Sequence, residues 1–406
     1  MAVNSVRPHR LSVAASCLVL LAGCAAPIPS ATPSRARPPA TTTAPATTAA
    51  PAPSQSATPT ATAPIEACQD DAAALSLEAQ IGQLIMVGVD GGLDAAERRA
   101  ITASQVGSVV LLGAQDGGVK ATAERVAEIA ALNPDAAMLA AADQEGGLVQ
   151  RLQGTGFARI PSAAKQAKLP LEELETAARS WGRALGKADI GLNLAPVGDV
   201  VPASKATRNA PIGKLGRGYG SDPEAVTART QVVITGLADE GVAATVKHFP
   251  GLGEVTGNTD NAAGVVDRVT RTDSAALAPF KAAVEGDVGA VMVASATYAK
   301  IDASHQAVFS ATVIGLLRQW GYDGVVISDD LGAAVSLRSV PASQRAVRFL
   351  AAGGDLVINA SPGLTAAMVA GVKKRAGSDP AFAQRLTVSA ARVLALKEKV
   401  GRYDCG

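Results

Sequence analysis

Ala243-Ala244-Thr245-Val246-Lys247-His248-Phe249-Pro250-Gly251 is a short apolar and β-branched run that ends in Lys-His and is stopped by Phe-Pro-Gly. A run with no polar alternation is what a strand buried on both faces requires. Similar runs recur at 84–89, 108–112, 137–142, 191–196, 290–294, 324–328 and 355–359, which makes eight. Between them fall helical periodicities, clearest at 119–133, 171–187, 222–240, 311–320, 344–352 and 379–400. Strands alternating with helices predict parallel pairing and an α/β fold. Eight such units fit a single (β/α)8 TIM-type barrel better than a doubly wound sheet. The open sheet stays as the alternative, since periodicity does not report closure. Polar clusters favour the barrel: Asp143-Gln144-Glu145-Gly146-Gly147, Gly198-Asp199, Lys247-His248 and Ser328-Asp329-Asp330 each close a strand. A barrel gathers strand ends at one face, where barrel enzymes keep their chemistry.

The rest of the chain bounds the answer. Among 406 residues, Lys+Arg number 37 and Asp+Glu 36, so no electrostatic footprint for a nucleic acid exists. Only 3 His argue against a His-rich metal site, and no metal or organic cofactor is implied. Residues 1–65 contain no acidic residue and only Arg7, Arg10, Arg35 and Arg37 as basic ones, so they are a different material from residues 66–406. A basic start at 1–10, an apolar run at 11–21 and Leu21-Ala22-Gly23-Cys24 predict a secretory signal over 1–23. The closing tetrapeptide resembles the bacterial lipobox, which implies cleavage before Cys24 and a lipid on its sulfur. In 25–64, 36 of 40 residues are Ala, Pro, Thr or Ser. That composition has too little apolar bulk to offset ordering entropy, so residues 24–65 are expected to be a disordered tether and 66–406 the barrel. The export route consumes Cys17 and Cys24. Cys68 and Cys405 remain, at the two ends of the foldable part in a compartment that permits disulfides, and a bridge between them is expected.

The strand-end inventory is rich in carboxylates, with Arg151, Arg217, Lys247 and His248 interspersed and no Cys, which excludes thiol nucleophiles. Two carboxylates across a pocket amid hydroxyl-binding groups suit glycoside hydrolysis. Barrels host many reactions, so the fold alone does not decide.

Asp143-Gln144-Glu145-Gly146-Gly147-Leu148-Val149-Gln150-Arg151, Asn193-Leu194-Ala195-Pro196-Val197, Lys247-His248-Phe249-Pro250-Gly251 and Ile327-Ser328-Asp329-Asp330-Leu331 together resemble glycoside hydrolase family 3. The likeness spans about residues 75–400. Within the family it is to the single-domain β-N-acetylhexosaminidases that trim N-acetylglucosamine from peptidoglycan fragments. The resemblance implies Asp329 as the nucleophile that forms a covalent glycosyl-enzyme, with retention. Asp330 is expected to cap or support it. The resemblance also implies Asp143, Arg151, Arg217, Lys247 and His248 as substrate contacts, since charged donors and acceptors can bond vicinal hydroxyls.

The chain departs from the family at the acid/base. The family pattern Lys-His-Phe-Pro-Gly-His-Gly followed by Asp-Ser-His places a His there, whereas here the stretch continues Leu252-Gly253-Glu254-Val255-Thr256-Gly257-Asn258-Thr259-Asp260. Counted without gaps, Asn258 falls on the dyad Asp and Asp260 on the His. Three readings are open: Asp260 is the acid/base with Asn258 as its orienting partner; Glu254 or another loop carboxylate reaches in; or the chain is a silent sugar binder. Asp260 is favoured, because the nucleophile and sugar contacts are all retained. Ala294-Ser295-Ala296-Thr297-Tyr298 also departs from the family after strand six, and His305, outside any motif, is expected at the surface.

The expected protein is therefore an exported lipoprotein, anchored through Cys24 to the outer face of the cell membrane and acting as a monomer. Its barrel releases non-reducing terminal β-linked N-acetylglucosamine, with a β-N-acetylglucosaminide or muropeptide as substrate. The alternatives are a catalytically silent carbohydrate-binding lipoprotein and a β-glucosidase specificity.

Overall fold

A computed structural model of the chain describes residues 64–406. The expected signal over 1–23, Cys24 and most of the expected tether lie outside them. The first helix, Pro64–Ala74, takes in Pro64 and Ile65, which composition alone assigns to the tether.

The eight apolar runs form β1 (Ile85–Asp90), β2 (Ser108–Leu112), β3 (Leu139–Ala142), β4 (Leu192–Asn193), β5 (Ala243–Phe249), β6 (Ala290–Val293), β7 (Val325–Ser328) and β8 (Val357–Asn359). Each lies parallel to its neighbours in sequence, and β8 returns to pair with β1 through Met86 opposite Ile358. A parallel bridge between Ile327 and Leu356 closes the ring, with Ser328 N–H donating to Leu356 O at 2.9 Å. The fold is a TIM-type barrel. Regular pairing in β4 covers only Leu192–Asn193 of the predicted 191–196, and single backbone bonds carry the contact onward, Leu194 N–H to Ala142 O at 2.9 Å and Thr245 N–H to Ala195 O at 3.0 Å.

Helices between and after the strands bury one face each, through Ile101, Val126, Leu174, Leu237, Phe280, Ile314, Phe349, Met368 and Leu394. Leu171–Lys187 and Pro223–Ala238 approach closely at Gly236, where a Cβ would stand 2.8 Å from Glu175 O. Phe249, one residue beyond His248, leaves the mouth for the core. It meets Phe280 and Trp320 edge-on at centroid distances of 5.5 and 5.6 Å. Such pairs add about 0.5–1.5 kcal/mol each beyond burial, and here they anchor the strand end that carries Lys247 and His248.

At the opposite end of the barrel, Lys397 of the last helix (Pro380–Lys399) is fully buried. Its ammonium donates to Gln83 Oε1 and Ala136 O, at 2.5 and 2.7 Å, and has no carboxylate partner among the described residues. Burial pushes its pKa down to about 7. The same helix packs against Pro64–Ala74, and a disulfide joins Cys68 to Cys405 with a Cα–Cα distance of 4.9 Å.

Candidate active site

The C-terminal strand ends enclose a cavity of about 300 Å³. Asp143, Arg151, Arg217, Lys247, His248, Asn258, Asp260 and Asp329 all line it. Larger hollows of about 680 and 720 Å³ lie elsewhere and contain none of these eight residues.

One wall begins after β3. Gln144–Gly146 pairs antiparallel with Val149–Gln150, which brings Arg151 back beside Asp143, its N–H on Asp143 O at 3.1 Å. The turn needs glycine: Gly146 has φ 100°, and a Cβ there would stand 2.3 Å from Pro161 O. Lys247 from β5 donates to Asp143 Oδ1 at 2.7 Å and lies 2.6 Å from Glu145 Oε1. Arg217 grips Glu145 through Nε and Nη2 at 2.9 and 2.7 Å, and its Nη1 donates to Pro211 O at 2.9 Å. Burial opposes the charge on Glu145, but Lys247 and Arg217 outweigh it and hold the carboxyl down at about 2. Burial likewise opposes the charge on Lys247, and Asp143 and Glu145 outweigh it, so its ammonium sits above its ordinary range. Arg217 therefore spends most of its donors within the protein. Arg151 is the open one, its guanidinium unpaired and its Nε buried without a hydrogen-bond partner among the described residues.

His248 is buried beside these cations. Its Nδ1 lies 2.8 Å from Asp199 Oδ2, and its Nε2 lies 3.4 Å from Arg217 Nη2.

The other wall carries Asp329, one residue beyond β7. Burial first, and then the negative charge of Asp260, raise its carboxyl to about 6, while the Asp330 N–H, 2.9 Å from Oδ1, pulls the other way. Asp330 accepts backbone N–H bonds from Gly332, Ala333 and Ala360 at 2.7–2.9 Å, which ties the turn after Asp329 to the end of β8. Asp260 reaches the cavity from the loop after β5. That loop is docked onto the segment following Asp329 by two backbone bonds, Val335 N–H to Asp260 O and Ser336 N–H to Thr259 O, both 3.1 Å. Asn258 contacts the backbone of Asp260, its Oδ1 accepting from the Asp260 N–H at 3.0 Å, so its hydrogen bond shapes the loop and does not orient the carboxylate. Glu254 is paired with Lys205 and is not among the residues lining the cavity.

Three contributors carry no role in the sequence reading. Glu145 and Asp199 stand in the polar clusters, yet only their partners, 72 and 49 residues away, show that each is an anchor. Tyr298 is buried after β6 and donates to Gly251 O at 2.9 Å, holding the start of the Asp260 loop. His305 is exposed and bonded to Asp302 at 3.0 Å.

A closed barrel with two facing carboxylates at its mouth, opposite a wall of fixed cations, has the layout of a sugar-cleaving barrel enzyme. The chain belongs to glycosyl hydrolase family 3, whose N terminal domain matches residues 76–396. It is 33% identical over 295 residues to the beta-hexosaminidase LpqI of Mycobacterium tuberculosis, covering 70% of this chain and 74% of that one. To a beta-hexosaminidase of Xanthomonas oryzae it is 32% identical over 306 residues, 72% of this chain and 88% of the other. Among solved structures, a beta-N-acetylhexosaminidase from Beutenbergia cavernae superimposes with a TM-score of 0.78 at 43% identity, covering 80% of this chain and 99% of that one. M. tuberculosis LpqI superimposes with a TM-score of 0.68 at 29% identity, over 81% and 96% of the two chains.

Proposed function

We propose that the chain is a retaining β-N-acetylhexosaminidase that removes terminal β-linked N-acetylglucosamine, with peptidoglycan fragments as the natural substrate. The observation that carries this reading is that buried Asp329 and Asp260 line one side of a cavity whose other side carries Arg151, Arg217 and Lys247. About 300 Å³ is at the small end of ligand pockets, which suits one sugar unit at the chain end.

In the proposed cycle the Asp329 carboxylate attacks the anomeric carbon while Asp260 gives its proton to the leaving oxygen. The glycosyl ester on Asp329 is then hydrolysed by a water that Asp260, now anionic, deprotonates. Asp329 is mostly ionised at neutral pH, since its pKa of about 6 lies below it. The cycle requires the proton of the pair to stand on Asp260 and the negative charge on Asp329 once the sugar fills the cavity. Arg151 offers the unpaired donors for the ring substituents, and Lys247 keeps one N–H beyond its two carboxylate contacts.

The identity of the sugar rests on the names of the relatives. The peptidoglycan assignment rests on the resemblance and on the export signal over residues 1–23. The lipid on Cys24, and with it the placing of the barrel on the outer face of the membrane, belongs to the same proposal. Among the described residues no helix is long and apolar enough to cross a membrane.

Nitrophenyl N-acetyl-β-glucosaminide assayed beside nitrophenyl β-glucoside tests class and sugar together. Trapping with a fluorinated glycosyl donor, followed by peptide mapping, tests the nucleophile. Turnover of the N-acetylglucosaminide with an adduct on Asp329 is expected. Activity on neither substrate would leave the silent sugar binder standing.

A further inference from the structure

We propose that Asp199 is a positioning residue that holds His248 as its Nδ1–H tautomer, so that the ring presents Nε2 to the cavity as a hydrogen-bond acceptor for a substrate hydroxyl. Only the identity of that hydroxyl rests on the sugar-hydrolase reading above.

The two oxygens of Asp199 do different work. Oδ1 accepts two backbone N–H groups, from His248 at 3.2 Å and Leu252 at 2.7 Å, and so shapes the end of β5. Oδ2 accepts from His248 Nδ1 at 2.8 Å and from nothing else among the described residues. Asp199 is fully buried and no Lys or Arg among the described residues pairs with it, so the protein keeps a desolvated carboxylate here and gives half of its accepting capacity to one ring nitrogen.

The other ring nitrogen fixes the protonation state. Arg217 Nη2, 3.4 Å from Nε2, is a donor under all conditions. A ring protonated at Nε2, whether as the other tautomer or as imidazolium, would set N–H against N–H, and imidazolium would add a second positive charge. The neutral Nδ1–H form satisfies both neighbours. At 3.4 Å the contact with Arg217 is long, so the Nε2 lone pair keeps capacity for a shorter bond.

This acceptor stands beside Asp143, the charged acceptor of the same wall. Lys247, Arg217 and Arg151 can only donate. A sugar hydroxyl that accepts from one of them still has its own proton to place. His248 Nε2 is an uncharged acceptor set among those cations, and it favours a ligand with a hydroxyl at that point over one carrying fluorine or hydrogen.

The chain has 3 His, so ring nitrogens labelled with ¹⁵N give a spectrum that can be assigned by the signal lost in His248→Gln. Near neutral pH, His248 is expected to show a protonated Nδ1 and a bare Nε2. An Nε2–H tautomer or an imidazolium in the wild type overturns the proposal. Asp199→Asn keeps an oxygen for the two backbone N–H groups while facing Nδ1 with an NH2, and is expected to switch the ring to Nε2–H. The kcat/KM on nitrophenyl N-acetyl-β-glucosaminide should fall about 10- to 100-fold, as for the outer partners of metal-bound histidines. In a His248→Ala background the same change should cost little. An equal loss in both backgrounds would make Asp199 a purely structural residue and sink the positioning role. If the wild type lacks this activity, the functional reading falls, and the ring spectra of wild type and Asp199→Asn decide the inference by themselves.

Discussion

The two walls of the cavity are built on opposite electrostatic plans. On the β3–β5 side the two carboxylates after β3 have their cations: Glu145 faces Lys247 and Arg217, and Asp143 faces Lys247. On the β7 side Asp329 and Asp260 face each other, and no Lys or Arg among the described residues pairs with either. The first arrangement drives a carboxyl down to about 2, and the second lifts one to about 6. The same chemical group thus serves as a fixed anchor on one side and as a site with affinity for a proton on the other, set by neighbours alone.

The largest way to break this contrast is Asp329→Asn. On the proposed mechanism, kcat should fall by about 10⁴-fold or more, measured on the aryl N-acetylglucosaminide. Stability should move the opposite way. The native pKa of about 6 exceeds the unfolded value near 4, so between those two the native state holds a proton that the unfolded state has lost. Stability therefore falls as pH rises through that window, and the loss is complete above it, about 3 kcal/mol by linkage. Asp329→Asn should melt higher than the wild type at pH 7, and the two curves should converge below pH 4. A variant melting lower at neutral pH would refute the stored cost.

Next comes Asp260→Asn, which should lose about 10²–10⁴-fold on substrates with poor leaving groups and far less on activated aryl glycosides. Equal losses on both would remove Asp260 from the acid/base role. On the paired wall, Glu145→Gln strips Lys247 and Arg217 of their shared anion. Breaking a buried pair costs about 3–5 kcal/mol, so denaturant melts should show a lowered midpoint with an unchanged slope.

A smaller effect contrasts the mouth with the far end of the barrel. Lys397, at about 7, binds a proton less readily folded than unfolded, so stability should rise with pH from about 7 toward 10. Lys397→Met should flatten that rise, which thermal melts would register as about 2 °C per pH unit. The smallest effect is the one expected of inorganic phosphate. Two carboxylates on the reactive wall disfavour an anionic acceptor, so phosphate should not accelerate turnover, and release of a sugar 1-phosphate would break the comparison at its centre.

Much of this layout is legible in the amino-acid sequence. Strands buried on both faces appear as uninterrupted apolar runs, and the ends of β2, β5 and β7 fall within one residue of where those runs stop. The cavity-lining residues stand at motif spacings after strand ends, which is why all eight can be named from spacing and resemblance. Hidden from the sequence is who bonds to whom. Arg217 reads as a sugar contact, yet its Nε and Nη2 are held by a carboxylate 72 residues upstream. Asn258 reads as the partner of a carboxylate and turns out to bond the backbone, because an amide two residues before an N–H closes an Asx turn more readily than it reaches a neighbouring side chain. Counting along the chain locates a residue but does not tell which of its atoms are still free.

The disulfide between Cys68 and Cys405 spans 337 residues and so places nearly the whole barrel inside a single covalent loop. A protease that cuts once in any loop at the mouth would leave two fragments still joined to one another and to the chain preceding Pro64. Such a nick would be invisible on a non-reducing gel and plain on a reducing one, because the severed piece could not leave the rest of the barrel.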